Sequence, residues 1–336
     1  MLPKLSFVAA AVGLWVSTYH RVAADAVSIF GSFYITPNCE PLADLLDTWY
    51  DESYDMAEAA VAAMNNYAND VDVQKAVTTF FGIKPTDGDA GRKAILTHLR
   101  QVFSFLNQNN ANLLDFRQPW LFCNHDFMIA KDKNDAAFDQ MGRPIPDPAD
   151  PTKHKTIYEM FTTKLTKNKN PYWMQEINEY TFDSVDMSRY CDDPENSALT
   201  WDVSPRGADP GTAVPLMMIC PNAFTDRDYY DPMPGSDKVT AGSRLQNYQP
   251  RSITFLHEMF HLVRGREVLS GKAEAYTIDG TLELARSDAV QARKNPETLA
   301  FFGLAMYHLG RGSWDFSDPS KAVKLAKQPS WGKTLG

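Results

Sequence analysis

FLHEMFHLV, residues 255–263, places two histidines four apart, with a glutamate directly after the first, inside an otherwise apolar run. On an α-helix, residues four apart lie on one face about one turn from each other, so His257 and His261 can point both imidazoles at a single metal ion. Glu258 is rotated by about 100° from His257, which keeps it out of the same coordination shell and free to hold a water and take its proton. Two histidine ligands beside a glutamate base is the chemistry of the H-E-x-x-H pattern, in which zinc polarises a carbonyl and lowers the pKa of its water toward about 7. The competing reading is a core helix with two hydrogen-bonded histidines. Against it, Phe255, Leu256, Met259, Phe260, Leu262 and Val263 bury most of the helix circumference. An apolar helix seldom carries three ionisable side chains so close together unless they are paired or bound to metal.

A zinc hydrolase requires a third protein ligand and one open position. Glu267 lies six residues after His261, Glu274 thirteen, Asp279 eighteen and Glu283 twenty-two. Glu267 falls where one protease class carries its third ligand, although Gly265 is one residue late for that pattern. Glu283 suits the class that takes a glutamate from the next helix. Spacing alone leaves all four open.

Working outward, the stretch 41–67 repeats Leu42, Leu45, Leu46, Trp49, Met56, Ala60 and Met64 at helical spacing, and 71–81 and 92–106 continue in the same manner. The first third is therefore predicted helical. PWLFCNHDFMIA (119–130) and PLMMIC (215–220) read as strands, and 281–290 and 296–309 as helices. Proline-rich, irregular chain fills much of 131–212, and such long connections are usually functional or inserted. The expectation is one α+β domain over 27–315, with a loop-rich insertion at 131–212 and a polar C-terminal tail at 316–336. His125 beside Asp126 on a strand would face the opposite way and make no site. His98, His154 and His308 read as ordinary, with His308 on the apolar face of the last helix.

The ends and the composition bound the class. Lys4, the apolar run Leu5–Val16 and the small residues up to Ala26 form a secretory signal peptide, placed at 1–26. No later stretch is long and apolar enough to cross a bilayer, so the mature chain is expected to be extracellular, with no membrane partner. A formal charge of −9 and the lack of any basic block argue against nucleic acid as a partner. The four cysteines, Cys39, Cys123, Cys191 and Cys220, read as two disulfides, for which sequence alone permits three pairings.

Several segments together resemble the fungal deuterolysin and peptidyl-Lys metalloendopeptidase family, the aspzincins. An alanine-rich helix follows Cys39 and leads to FFGIKP, MMICPNAF precedes HEMFH, and the stretch 275–307 ends in Asn, an aromatic pair and Ala-x-Tyr. The resemblance implies a zincin-like fold, mostly helical with a small sheet, and a secreted endopeptidase that holds one Zn²⁺ and acts on protein or peptide substrates. It also implies the pairs Cys39–Cys123 and Cys191–Cys220. The family takes its third ligand from an aspartate in Gly-Thr-x-Asp-x-x-Tyr-Gly, and Tyr276 matches the tyrosine that stabilises the oxyanion. Ala273 stands where that aspartate is expected, and Thr277 replaces the final glycine. Glu274, one residue displaced and longer, ranks first as the third metal ligand with His257 and His261, and Asp279 second. The departure keeps a second class open, a secreted zinc-binding or surface-interaction protein with a degenerate zincin fold.

Overall fold

The computed structural model describes residues 28–108, 118–165, 168–203, 213–264 and 274–335. The expected signal peptide at 1–26, Glu267, Ala273 and part of the expected insertion at 131–212 lie outside these residues. The chain opens with a short helix α1 (Ile29–Ser32) and strand β1 (Tyr34–Ile35), then runs through three long helices, α2 (Ala43–Asn65), α3 (Val71–Phe81) and α4 (Asp89–Leu106). Next come β2 (Trp120–Phe122), β3 (Met128–Ala130), β4 (Pro146–Asp147), β5 (Asp150–His154), α5 (Ile157–Phe161), β6 (Asn170–Met174), β7 (Glu179–Asp183), β8 (Ala198–Val203) and β9 (Val214–Ile219). After α6 (Pro221–Thr225) the chain enters α7 (Ser252–Arg264), α8 (Ile278–Ser287), α9 (Ala289–Ala292) and α10 (Pro296–Gly312), and closes with the strand pair β10 (Trp314–Asp315) and β11 (Val323–Lys324). The fold is mixed α and β with small sheets, as the α+β reading requires.

Local chemistry sets the helix limits. The Asp70 side chain accepts from the backbone of Asp72 and Val73 to start α3, and Gly82, at φ 67°, ends it in the left-handed conformation that glycine adopts without penalty. Alanines let α2 pack closely. Trp49, Met56, Ala60 and Met64 are buried along it, and α10 packs on α2 where Gly303 meets Met56 and brings the two backbones together.

The principal sheet has the order β1-β2-β9-β8, with β1, β2 and β9 parallel and β8 antiparallel on the edge. All six residues of β9 are buried, the run of apolar side chains expected for a strand covered on both faces. Helix α7 lies between this sheet and the helices, touching β8 and β9 on one side and α2, α4 and α10 on the other. That sandwiched position explains why the HEMFH helix is apolar almost all round.

Three sequence expectations change. The stretch 119–130 is two strands rather than one, because Asn124 accepts from the backbone of Asp126 and turns the chain between β2 and β3. The insertion is more ordered than its prolines suggest. It builds a second sheet, β3-β6-β7, over a small aromatic cluster of Trp173, Tyr180, Phe138, Phe161 and Phe182. Residues 316–335 do not behave as a polar tail, since Phe316 and Trp331 are buried in the main core and Trp331 Nε1 donates to Asp70.

Disulfides join Cys39 to Cys123 and Cys191 to Cys220, the pairing that the resemblance implies. Both fit an oxidising compartment. Among the described residues no helix is long and apolar enough to cross a membrane.

His308 carries a pH prediction. It is fully buried on α10 among Tyr248, Tyr307 and Phe316, and neither ring nitrogen has a hydrogen-bond partner among the described residues. Burial pushes its pKa down to about 4. A base depressed on folding takes up its proton in the unfolded state first, so its stability contribution is intact above about pH 6.5 and is lost as pH falls toward 4. His308→Leu should therefore gain about 2 kcal/mol relative to the parent chain between pH 7 and pH 4.5. Urea unfolding of both chains at the two pH values checks this, and a pH-independent difference would contradict it.

Candidate metal centre

Helix α7 delivers His257 and His261 to the same side, one turn apart, with ring centroids 5.1 Å from each other. The chain then returns at Glu274, just before α8. Its carboxylate lies between the two rings, with Oε2 3.2 Å from His257 Nε2 and Oε1 2.9 Å from His261 Nε2. One ligating atom from each of the three residues falls within 4.8 Å of the others, a set able to hold a metal ion. The other carboxylates weighed from sequence lie elsewhere. Asp279 is exposed and paired with Arg244 at 3.1 Å, and Glu283 faces Arg286 on the outside of α8. The structure thus brings together His257, His261 and Glu274, and leaves Asp279 and Glu283 apart.

The centre is buried and strongly coupled. Burial alone would lower the His257 pKa, but the carboxylates of Glu274 and Glu297 on its two nitrogens outweigh this and hold it up. Burial alone would raise the Glu274 pKa, and the imidazoles of His257 and His261 against its carboxylate hold it well below the usual carboxylate range. In the metal-free chain, therefore, His257 keeps a proton between two carboxylates. A cation taking the place of that proton satisfies the same negative charge, and its binding strengthens as pH rises.

Glu258 follows His257 on the helix and is itself buried. Its Oε2 has no hydrogen-bond partner among the described residues. An unsatisfied buried carboxylate oxygen is costly unless a partner such as a water joins it, and a carboxylate that holds a water can also take its proton. The backbone carbonyl of Glu258 accepts from Thr200 Oγ1 on β8 at 3.5 Å, which ties the edge strand to the helix beside the centre.

Tyr276 lies two residues beyond Glu274. Its ring stacks on His257 at 5.9 Å and 20°, and the residue is largely exposed. Burial around the hydroxyl, followed by the Glu274 charge, raises the phenol pKa, so the group stays a proton donor throughout the neutral range. Thr277 follows at φ 49°, ψ 151°. That is glycine-like backbone, and a β-branched residue held there is strained by about 1–3 kcal/mol. It is the position at which the resembled family has glycine. The Thr277 hydroxyl accepts from Gly280 N and caps α8, a contact that glycine would lack.

Two residues at the centre gave no signal in the sequence. Glu297, in the first turn of α10, accepts from His257 Nδ1 at 2.8 Å. It fixes the tautomer that leaves Nε2 for a metal, the usual outer partner of a ligating histidine. Tyr190 arrives from the insertion, held by the neighbouring Cys191–Cys220 bridge and by its bond to Ala198 O at 3.2 Å. Burial, then the charges of Glu258, Asp193 and Glu274, push its pKa up to about 12. Glu297 lies 40 residues from His257 and Tyr190 sits in a segment with no periodicity, so only the fold brings them in. His125 accepts from Cys191 N and faces Asp192 at 3.7 Å, and it is not among the residues that could hold the metal.

Glu297→Gln should weaken zinc binding by about 10–100-fold, because the neutral amide no longer anchors His257 as an anion does. Competition with a chromophoric chelator measures this, and an unchanged affinity would contradict the role.

Compared with family models, with curated proteins and with solved structures, the chain matches none. The functional reading therefore rests on the residues and their geometry.

Proposed function

We propose that this chain is a secreted zinc-dependent endopeptidase of zincin-like architecture. One observation carries the reading: a largely buried His257–His261–Glu274 donor set, with a carboxylate oxygen of Glu258 that has no partner among the described residues directly after the first histidine. Two imidazoles and one carboxylate make up a donor set that suits zinc and leaves a position open. Zinc held there would polarise the scissile carbonyl and make a water nucleophilic near neutral pH.

The chain's own groups divide the remaining work. Glu258 takes the proton from the attacking water and returns it to the leaving amine. Tyr276, protonated and stacked on His257, donates to the oxyanion as it develops, an interaction that strengthens only in the transition state. Strand β8, on the edge of the sheet and against α7, offers backbone groups beside which an extended peptide can lie as an added strand. A protein that merely stored zinc has no use for a buried base at that position, which weighs against the non-catalytic alternative. The disulfides support an extracellular working place.

The test is incubation of the zinc-loaded chain with an unfolded polypeptide, with mass spectrometry of the products. Internal cleavages that stop on adding a chelator and resume with zinc are expected. Trimming from the termini alone, or an intact polypeptide, would overturn the endopeptidase reading.

A further inference from the structure

Asn295 stands directly before Pro296, the first residue of α10, where asparagine ordinarily caps its own helix. It does not do so here. The side chain is fully buried and makes no capping bond. Its Oδ1 accepts from Ala275 N at 3.1 Å, and its Nδ2 donates to Ala275 O at 2.9 Å. The remaining Nδ2 hydrogen goes to Thr298 Oγ1 at 3.0 Å. The amide thus grips both polar groups of a single residue, as a neighbouring strand grips a strand, and every donor it has is used.

The gripped residue is what matters. Ala275 lies between Glu274, whose carboxylate meets both histidines, and Tyr276, whose ring stacks on His257. Among the described residues, Glu274, Ala275 and Tyr276 make no backbone–backbone hydrogen bond. The segment is followed by the strained Thr277 backbone. A ligand carried on such a segment needs an external anchor to hold its geometry.

We propose that Asn295 is the positioning residue of the metal centre: by pairing with the Ala275 peptide it sets the place of Glu274 and of Tyr276 together. The proposal rests on the zinc reading above. With Glu297 two residues later holding His257, the first turn of α10 and the residue before it organise three groups of the centre from one rigid element.

Asn295→Asp tests this. It keeps the size and the acceptor for Ala275 N, but turns an oxygen toward Ala275 O in place of the donor. The folded variant should bind zinc about 10–100-fold more weakly, with an altered cobalt(II) d–d spectrum that reports a displaced carboxylate. A normal affinity and spectrum would overturn the inference. So would a lower thermal midpoint with both unchanged, since that is a purely structural role. If the variant fails to fold, hydrogen exchange in the parent decides. An Ala275 amide protected as strongly as the amides of α10 supports the clamp, and rapid exchange overturns it. None of these readouts depends on cleavage, so an inactive but zinc-binding parent would sink the peptidase reading alone. A parent that binds no metal would sink both.

Discussion

Replacing Glu258 by alanine should abolish nearly all hydrolysis, by roughly 10²–10⁴-fold in kcat, while leaving one zinc bound. The expectation follows from the division of labour along one helical turn. His257 and His261 face the Glu274 carboxylate, whereas the adjacent glutamate, about 100° further round the helix, presents an oxygen with no hydrogen-bond partner among the described residues. Removing it deletes the proton acceptor without deleting a metal contact. Because the side chain is buried and its Oε2 has no hydrogen-bond partner among the described residues, its loss should not lower the thermal midpoint, and relief of an unsatisfied carboxylate oxygen can raise it. Steady-state cleavage of a quenched peptide, beside metal analysis of the same preparation, reads both quantities. Retained activity would remove Glu258 from the mechanism, and lost zinc would make it a ligand.

The second large effect separates Glu274 from Asp279. Glu274→Gln keeps the shape but removes the charge that both histidines face, and zinc affinity should fall by at least about 100-fold, beyond what loss of an outer partner costs. Asp279→Asn should leave affinity within about twofold, because that carboxylate is exposed and engaged by Arg244. The two variants measured by the same chelator competition give opposite results if the geometry is right. Equal losses, or a loss confined to Asp279→Asn, would transfer the third ligand away from Glu274. The Glu274 variant should also lose activity through lost metal, so excess zinc should restore part of it. No such rescue is expected for Glu258→Ala.

Much of this centre was legible in the sequence, and the reasons are specific. HEMFH declared itself because four-residue spacing and helical periodicity describe the same object, and α7 runs from Ser252 to Arg264 as that pattern requires. The alanine-dense first third produced helices close to the stretches that carry the period. Glu274 was harder. Position along the chain could rank it beside Asp279 but could not show which carboxylate returns to the helix, since that depends on a backbone held by Asn295. Asn295 and Glu297 were hidden because an Asn-Pro-Glu run reads as an ordinary helix start, and nothing in it betrays that both side chains serve other elements.

The insertion and the C-terminus were misread for a different physical reason. Strands of a few residues, such as those from β3 to β7, are too short to display a period, and prolines on their flanks suggest loop. The last twenty residues carry few apolar side chains, yet Trp331 docks where Gly310 and Gly332 leave no room for a Cβ between their backbones. Close backbone approach of this kind depends on tertiary packing and leaves no periodic trace in sequence.

The central claim is that one zinc, held by His257, His261 and Glu274, switches on peptide-bond hydrolysis. A titration of metal-free chain with zinc, following cleavage of an unfolded polypeptide at each addition, measures occupancy and activity together. Activity should rise in step with bound zinc and level off at one ion per chain. Tight binding of one zinc with no cleavage at saturation would contradict it, and would identify the centre as a metal-binding site without catalysis.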